Sequence, residues 1–481
     1  MNPEDCPVQT ACIQMPLGLH PLGERKVEAS FDGGRVTSDG GLLLLREAAQ
    51  RVHLFERVAA CFRDHRDPEL LEFPVQELVA QRILGLACGY EDLNDHDVLR
   101  DDALFACAAG RTDVIGESRK RASDRGHALA GKSTLNRLER TSSVVEKGER
   151  YKKIAYDAQA FERLFVDLFL EAHATPPTQI ILDFDSTDDP LHGRQEGRFF
   201  HGYYGHYCYL PLYVFCGDFI LAAKLRTSDR DGADGALDEL KRLVAHIRSA
   251  WPTTEIVFRA DSGFARDALM TWCEDNNVHY VIGLARNKRL SASIVDEMAM
   301  ARQRHAETGK PAREFKDFRY QTLDSWTRER RVVGKAEQLD GKENPRFVVT
   351  TLPMERMDAR ALYENLYAAR GEMENRIKEQ QLQLFADRLS TETMRGNQLR
   401  LWLSSLAYAL LDSLRRDGLK GTDMEQAEVG TIRMRLLKIG AIVRVSVRRV
   451  YVALSSVFTR KDLFARVLHN LSTRDSMPHV T

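Results

Sequence analysis

The chain has 481 residues, 43% hydrophobic and 29% charged, with a formal net charge of −1. That balance fits a soluble globular protein of two or three domains and carries no global basic signature of nucleic-acid binding. Its eight cysteines are scattered without a Cys-x-x-Cys pair, which argues against a disulfide scaffold or zinc ribbon and fits a reducing cytoplasm. No basic-then-apolar leader opens the chain, and no apolar run reaches the roughly 18 residues of a membrane span.

Residues 1 to about 38 lack periodicity and read as an extended arm with one hairpin. Leu42, Leu45, Ala49 and Val52 recur at helical spacing, predicting a helix over 39–62. A second is expected from Pro74 to Gly89, with Pro suited to a helix start and Gly to an end. Further helices are expected over 92–109, 133–140 and 146–173. Residues 1–150 thus read as an all-helical N-terminal DNA-binding domain.

The pattern changes near Thr178. Gln179-Ile-Ile-Leu-Asp183-Phe-Asp185 is a strand-like run, followed by strands over 206–216 and 219–226. A helix over 235–249, a strand over 255–260, a helix over 264–275 and a strand over 278–284 complete a mixed sheet with helices on its faces. Residues 288–357 read as a β-rich insertion, with a helix and strand-like runs at 314–323, 329–338 and 346–352. Helices resume over 358–389 and 394–416. The sheet-bearing unit therefore spans 151–416, and 417–481 form a C-terminal module. From Thr431 to Arg466 that module holds nine Lys or Arg against one acid, Asp462, the local footprint of a phosphate-binding surface.

Within the helix from Tyr367 to Lys378, residues three or four apart are neighbours. Tyr367, Arg370, Glu374 and Lys378 form one row, and Leu366, Ala369, Met373 and Ile377 form an apolar row beside it. Asp185 and Asp261 each end a strand, where open α/β sheets commonly carry reactive groups. If those strands are adjacent, both carboxylates share one sheet edge, and the helix can offer Glu374 to the same spot. Three oxygen ligands without His or Cys suit Mg²⁺ or Mn²⁺. Two such ions would stabilise the attacking and leaving oxygens of a phosphodiester displacement. Asp183, two residues before Asp185 on the same strand face, competes for the role of first ligand. Arg286, Lys288 and Arg289 follow the last sheet strand and, with Arg370 and Lys378, are candidates to hold DNA phosphates.

These motifs resemble the DDE transposases of bacterial insertion sequences, and most closely insertion-sequence family 1380, which carries a Tyr-x2-Arg-x3-Glu-x6-Lys helix. Tyr367, Arg370 and Glu374 fit that signature at its spacing. Asp185 before Ser186-Thr187, and Asp261 within Ala260-Asp-Ser-Gly-Phe264, resemble the family's two aspartates. Asn397 to Tyr408 resembles the helix after the glutamate; Gly89 to Asp97 and Ser133 to Glu139 resemble its N-terminal region. One position departs: the signature lysine falls at Gln381, with Lys378 one turn earlier. The resemblance spans about residues 35 to 455. It implies an RNase H-like core, Asp185, Asp261 and Glu374 as catalytic metal ligands for two Mg²⁺ or Mn²⁺ ions, and strand positioning by Tyr367 and Arg370. It further implies binding to terminal inverted repeats and target DNA, assembly as a dimer or larger complex on DNA, and a cytoplasmic location. A structure-selective nuclease of the same fold and a catalytically inactive DNA-binding descendant are the alternatives.

Gly126 to Ser133 satisfies the G-x-x-x-x-G-K-[ST] pattern of a phosphate-binding loop. The polar run before it, Arg119 to Arg125, cannot form the buried strand such a loop requires, which points to chance. His192, His201, His206 and Cys208 fit no standard zinc spacing; they are expected on the edge of a hairpin with Tyr203, Tyr204 and Tyr207, whose rings suit strand packing or stacking on unpaired bases.

Overall fold

The computed structural model describes residues 17–140, 143–144 and 151–473. Its centre is a nine-stranded mixed sheet. Three strands lie parallel in the middle: Gln179–Ser186, Glu255–Ala260 and His279–Leu284. On one side the hairpin Leu212–Cys216 and Phe219–Lys224 extends the sheet antiparallel from Gln179–Ser186. On the other side Arg346–Thr350, Arg330–Leu339 and Ala312–Tyr320 continue it. The β-rich stretch 288–357 therefore adds strands to the same sheet. This is the mixed α/β fold expected from the alternating pattern.

Strand alternation sorts side chains to two faces. Leu182, Phe184, Phe258, Ala260 and Ile282 form one core with residues of helices Ala236–Ala250 and Asp267–Asp275. On the opposite face, Val257, Val281 and Val348 meet Leu362 and Leu366, which lead into the Glu374 helix. Tyr213 and Phe215 meet Met373, Ile377 and Trp402 on that same side.

The N-terminal helices share this second core. Val75–Cys88 packs on helix Met394–Ser413, and Leu42–Arg51 meets the C-terminal helix Lys461–Thr473. The backbone nitrogens of Gly40 and Gly41 donate to the carbonyls of Ile439 and Leu437 at 2.7 and 3.0 Å. A Cβ at Gly41 would run into Leu436 and Leu437 backbone atoms, so only glycine permits this approach. Strand Ala441–Ser446, within the basic stretch, pairs with Val36–Thr37.

Several helices differ from expectation. The helix expected over 39–62 breaks at His53, whose φ of 48° is left-handed, into Leu42–Arg51 and Leu54–Ala60. The long helix expected over 146–173 begins only at Ala158; residues 145–150 lie outside the described part, and Ile154–Tyr156 is a buried strand paired with Phe62–Asp64. Asp157 ends that strand and caps the helix, its carboxylate accepting from the Ala160 nitrogen at 3.2 Å. Among the described residues no helix is long and apolar enough to cross a membrane.

Candidate active site

The parallel register of the two central strands places Arg259 opposite Asp183 and Ala260 opposite Phe184. Asp185 and Asp261 therefore emerge side by side at the same end of the sheet. Asp261 leaves the strand as the cap of a short helical turn, Ser262–Phe264, and its Oδ1 accepts from the Gly263 nitrogen at 2.8 Å. Asp185 Oδ1 accepts from the Ser186 nitrogen at 2.9 Å.

The segment carrying Glu374 is one helical path with an irregular entry. A π-helical turn, Leu362–Tyr367, passes into a 3₁₀ turn, Ala368–Arg370, before the regular helix Gly371–Leu384. Such turns shift side chains out of the ordinary helical row and free backbone carbonyls. Arg259 takes up one of these, donating from Nη1 to the Leu366 carbonyl at 2.5 Å. Arg370 then spans the site, with Nη1 3.4 Å from Asp185 Oδ2 and Nη2 2.6 Å from Glu374 Oε1.

Burial pushes the Asp185 carboxyl up to about 6; Arg370 opposes that rise, while the charges of Asp261 and Glu374 add to it. Asp185 thus lies within electrostatic reach of both other carboxylates. Among the described residues, no three His, Cys, Asp or Glu side chains already stand close enough together to cage an ion.

Asp183 has a different environment. It is 3% exposed, and Arg259 grips it with Nη2 to Oδ2 at 2.7 Å and with a second bond from Nε to Oδ1. Both of its oxygens are occupied by a buried guanidinium, whereas Asp185 reaches the open edge. Arg259 was not singled out by motif, yet a signal for it exists. It precedes Asp261 by two residues just as Asp183 precedes Asp185, so adjacent parallel strands bring the pair together.

Tyr367 lies against the same edge. Its ring packs 5.5 Å from that of Tyr363, and its hydroxyl approaches Gly283 on the third parallel strand. A Cβ at Gly283 would collide with that hydroxyl and come within 3.0 Å of the Ser262 backbone nitrogen. Gly283→Ala is expected to keep the fold at a cost of about 1–3 kcal/mol of overpacking while displacing Tyr367. Melting curves check this: a folded variant with a lowered melting temperature is expected, and an unchanged melting temperature would contradict the close approach of Tyr367 to Gly283.

Of the remaining expected residues, Arg286 and Lys288 are exposed just beyond the His279–Leu284 strand. Arg289 is also exposed, lying over the Tyr320 ring at 5.0 Å and donating to the Gln321 carbonyl. Lys378 is exposed one turn past Glu374. Gln381, at the signature lysine position, turns inward and donates to the Asp188 carbonyl at 3.1 Å and to Asp189 Oδ1 at 2.8 Å. In the basic stretch, Lys438 is paired with Asp39, Arg460 with Asp423, and Arg433 with the carbonyls of Ala87, Leu86 and Gln383. Arg435, Arg444, Arg448, Arg449, Lys461 and Arg466 are exposed. In the phosphate-loop pattern, Lys132 follows a turn, not a strand, and its ammonium group bonds Asn94 and Asp97. His206 pairs with Asp188 at 2.7 Å.

A search of curated proteins finds no match. Among solved structures, a piggyBac transposase in a synaptic complex with hairpin DNA, determined by cryo-electron microscopy, is similar at 13% identity and a TM-score of 0.40, covering 93% of this chain and 87% of that one. The sequence model described as "Transposase DDE domain group 1" matches residues 19–476, and with nearly the whole chain matched, the protein belongs to that transposase DDE domain family.

Proposed function

We propose that the protein is the DNA transposase of a bacterial insertion sequence of family 1380, binding the terminal inverted repeats of its element and catalysing cleavage and strand transfer. The observation that carries this reading is the emergence of Asp185 and Asp261 from adjacent parallel strands beside Glu374, with Arg370 linking the first carboxylate to the third. The donor set fits a hard divalent ion: it consists of carboxylate oxygens without His or Cys, and the Asp185 carboxyl is raised by burial and further by Asp261 and Glu374. Asp185, Asp261 and Glu374 would hold two Mg²⁺ or Mn²⁺ ions, which supply charge stabilisation to the attacking and leaving oxygens of a phosphodiester displacement.

The chain's own residues set the geometry. Arg370 links Asp185 with Glu374, and with metal bound to those carboxylates its guanidinium would be available to a phosphate. Tyr367 fixes the helix entry against Gly283. Arg286, Lys288, Arg289 and Lys378 hold the DNA backbone and set its register without reading sequence. The helices before residue 150 and the exposed arginines after residue 417 extend that contact along the duplex. Acting on two element ends at once calls for a dimer or larger assembly on DNA, in the cytoplasm.

The test uses a supercoiled plasmid carrying the inverted repeats that flank the gene, incubated with Mg²⁺. Cleavage at the repeat ends followed by products joined to new sites is expected. Nicks without joined products would make the protein a nuclease, and no metal-dependent nicking at all would make it an inactive DNA-binding descendant.

A further inference from the structure

Between the Asp185 strand and the next sheet strand, the chain throws out a small hairpin, Phe199–His201 paired with His206–Tyr209. Its large apolar rings face solvent: Phe199 is 42% exposed, Phe200 58%, Tyr203 87% and Tyr207 42%. Phe200 and Tyr207 are cross-strand partners with ring centroids 5.6 Å apart, and the Arg198 guanidinium lies 3.9 Å over the Tyr207 ring. At the tip, side-chain atoms added to Gly202 or Gly205 would meet nothing within 4 Å. These rings pack no core, which is unusual for four aromatics within nine residues of a two-stranded ribbon.

The hairpin is anchored to the catalytic edge. His206 is paired with Asp188, three residues beyond Asp185, and Cys208 and Tyr209 pair with the strand Asp189–Pro190. Tyr204, on the inner side, sits close enough that the charges of Asp188 and Asp185 add to the effect of burial on its phenol. Arg198, over the Tyr207 ring, puts a positive charge beside the ribbon. Solvent-facing rings, a cation stacked on one of them and continuity with a phosphodiester-cleaving edge are the parts of a stacking platform for unpaired bases.

We infer that the hairpin Phe199–Tyr209 stacks unpaired nucleotide bases of the DNA strand at the active site, with Phe200, Tyr203 and Tyr207 as the stacking faces. The inference rests on the transposase reading for its ligand. It commits to unstacked bases because the hairpin is tied by His206–Asp188 and by strand pairing to the sheet edge that bears Asp185, and a guanidinium beside the rings can meet the phosphate of a stacked nucleotide.

The experiment uses the full chain without divalent metal, so that nothing is cut. Affinity is measured for a blunt duplex and for the same duplex bearing a short unpaired tail containing 2-aminopurine. The tailed duplex is expected to bind more tightly and its fluorescence to be quenched. Phe200→Ala or Tyr203→Ala should each weaken binding to the tailed duplex about five- to hundredfold, the range of one lost base–aromatic stack, with blunt-duplex affinity unchanged. Tyr203→Trp should retain both tail affinity and quenching. Equal losses on both duplexes, no loss on either, or a change in oligomeric state without a change in tail affinity would each overturn the inference. Since the readout needs no cleavage, failed plasmid cleavage with intact tail preference would count against the transposase reading alone.

Discussion

Asp185→Asn, Asp261→Asn and Glu374→Gln are each expected to reduce Mg²⁺-dependent cleavage by at least about a hundredfold, more than the 10–100-fold typical when a group supporting a ligand is removed, while leaving binding to element ends within about twofold. Each exchange keeps the side-chain shape and removes one negative charge from the sheet edge. The energetic argument turns on Asp185. Its carboxyl is pushed up to about 6, chiefly by burial, with Arg370 opposing the rise and Asp261 and Glu374 adding to it, so the charged form is held there at a cost that Arg370 only partly offsets. A divalent cation bound there would stabilise the charged carboxylates, and an amide would remove one of its ligands. Cleavage and gel-shift assays on the same preparations measure the split. Normal cleavage by any one of the three variants would remove that residue from the site.

Arg259→Met is expected to be the most destabilising single change at the sheet edge, by about 3–5 kcal/mol, because it leaves the buried Asp183 charge uncompensated. Arg259 is 5% exposed, occupies both Asp183 oxygens and holds the Leu366 carbonyl. Losing it therefore unpins the helix entry as well as the strand. Arg259→Met with Asp183→Leu should recover much of that stability, since a buried ion pair replaced as a unit by apolar groups is often neutral. Denaturant unfolding of the single and double variants is the check. A double variant no more stable than Arg259→Met would show that the Leu366 contact, not the ion pair, dominates. The same contrast distinguishes the two aspartates: a single Asp183 substitution, which strands the buried Arg259, is expected to lower stability, whereas Asp185→Asn is expected to stay folded.

How much of this is legible in the sequence depends on the range of the interaction. The two aspartate-ended strands are legible from local pattern as short buried runs ended by an acid, whereas their adjacency, only a condition in the sequence, is set by the parallel pairing of the sheet. The same period of two also pairs Arg259 with Asp183, and it separates a structural acid from an edge acid once the register is drawn. The irregular entry to the Glu374 helix is not legible, since the π turn at Leu362–Tyr367 is accommodated by a guanidinium reaching in from a distant strand. Helical spacing alone overstates the row from Tyr367 to Lys378: Arg370 and Glu374 do meet, but Tyr367 is drawn to Gly283 and Lys378 faces solvent. The inward turn of Gln381 toward Asp189 likewise depends on a strand nearly two hundred residues earlier. The N-terminal helices read as a separate domain because their stripes are locally amphipathic. Their burial against helix Met394–Ser413 and the C-terminal segment is a long-range choice that no local window contains. The same range hides Lys438 and Arg433, which look like phosphate contacts by composition and are engaged inside the fold.

The central claim is that Asp185, Asp261 and Glu374 together hold divalent metal. Titration of Mn²⁺ against the full chain, followed by electron paramagnetic resonance of the free ion, tests it most directly. Saturable binding by the unaltered protein, lost in the Asp185→Asn, Asp261→Asn double variant and unaffected by Lys378→Ala, is the expected result. Undiminished Mn²⁺ binding by the double variant would contradict it.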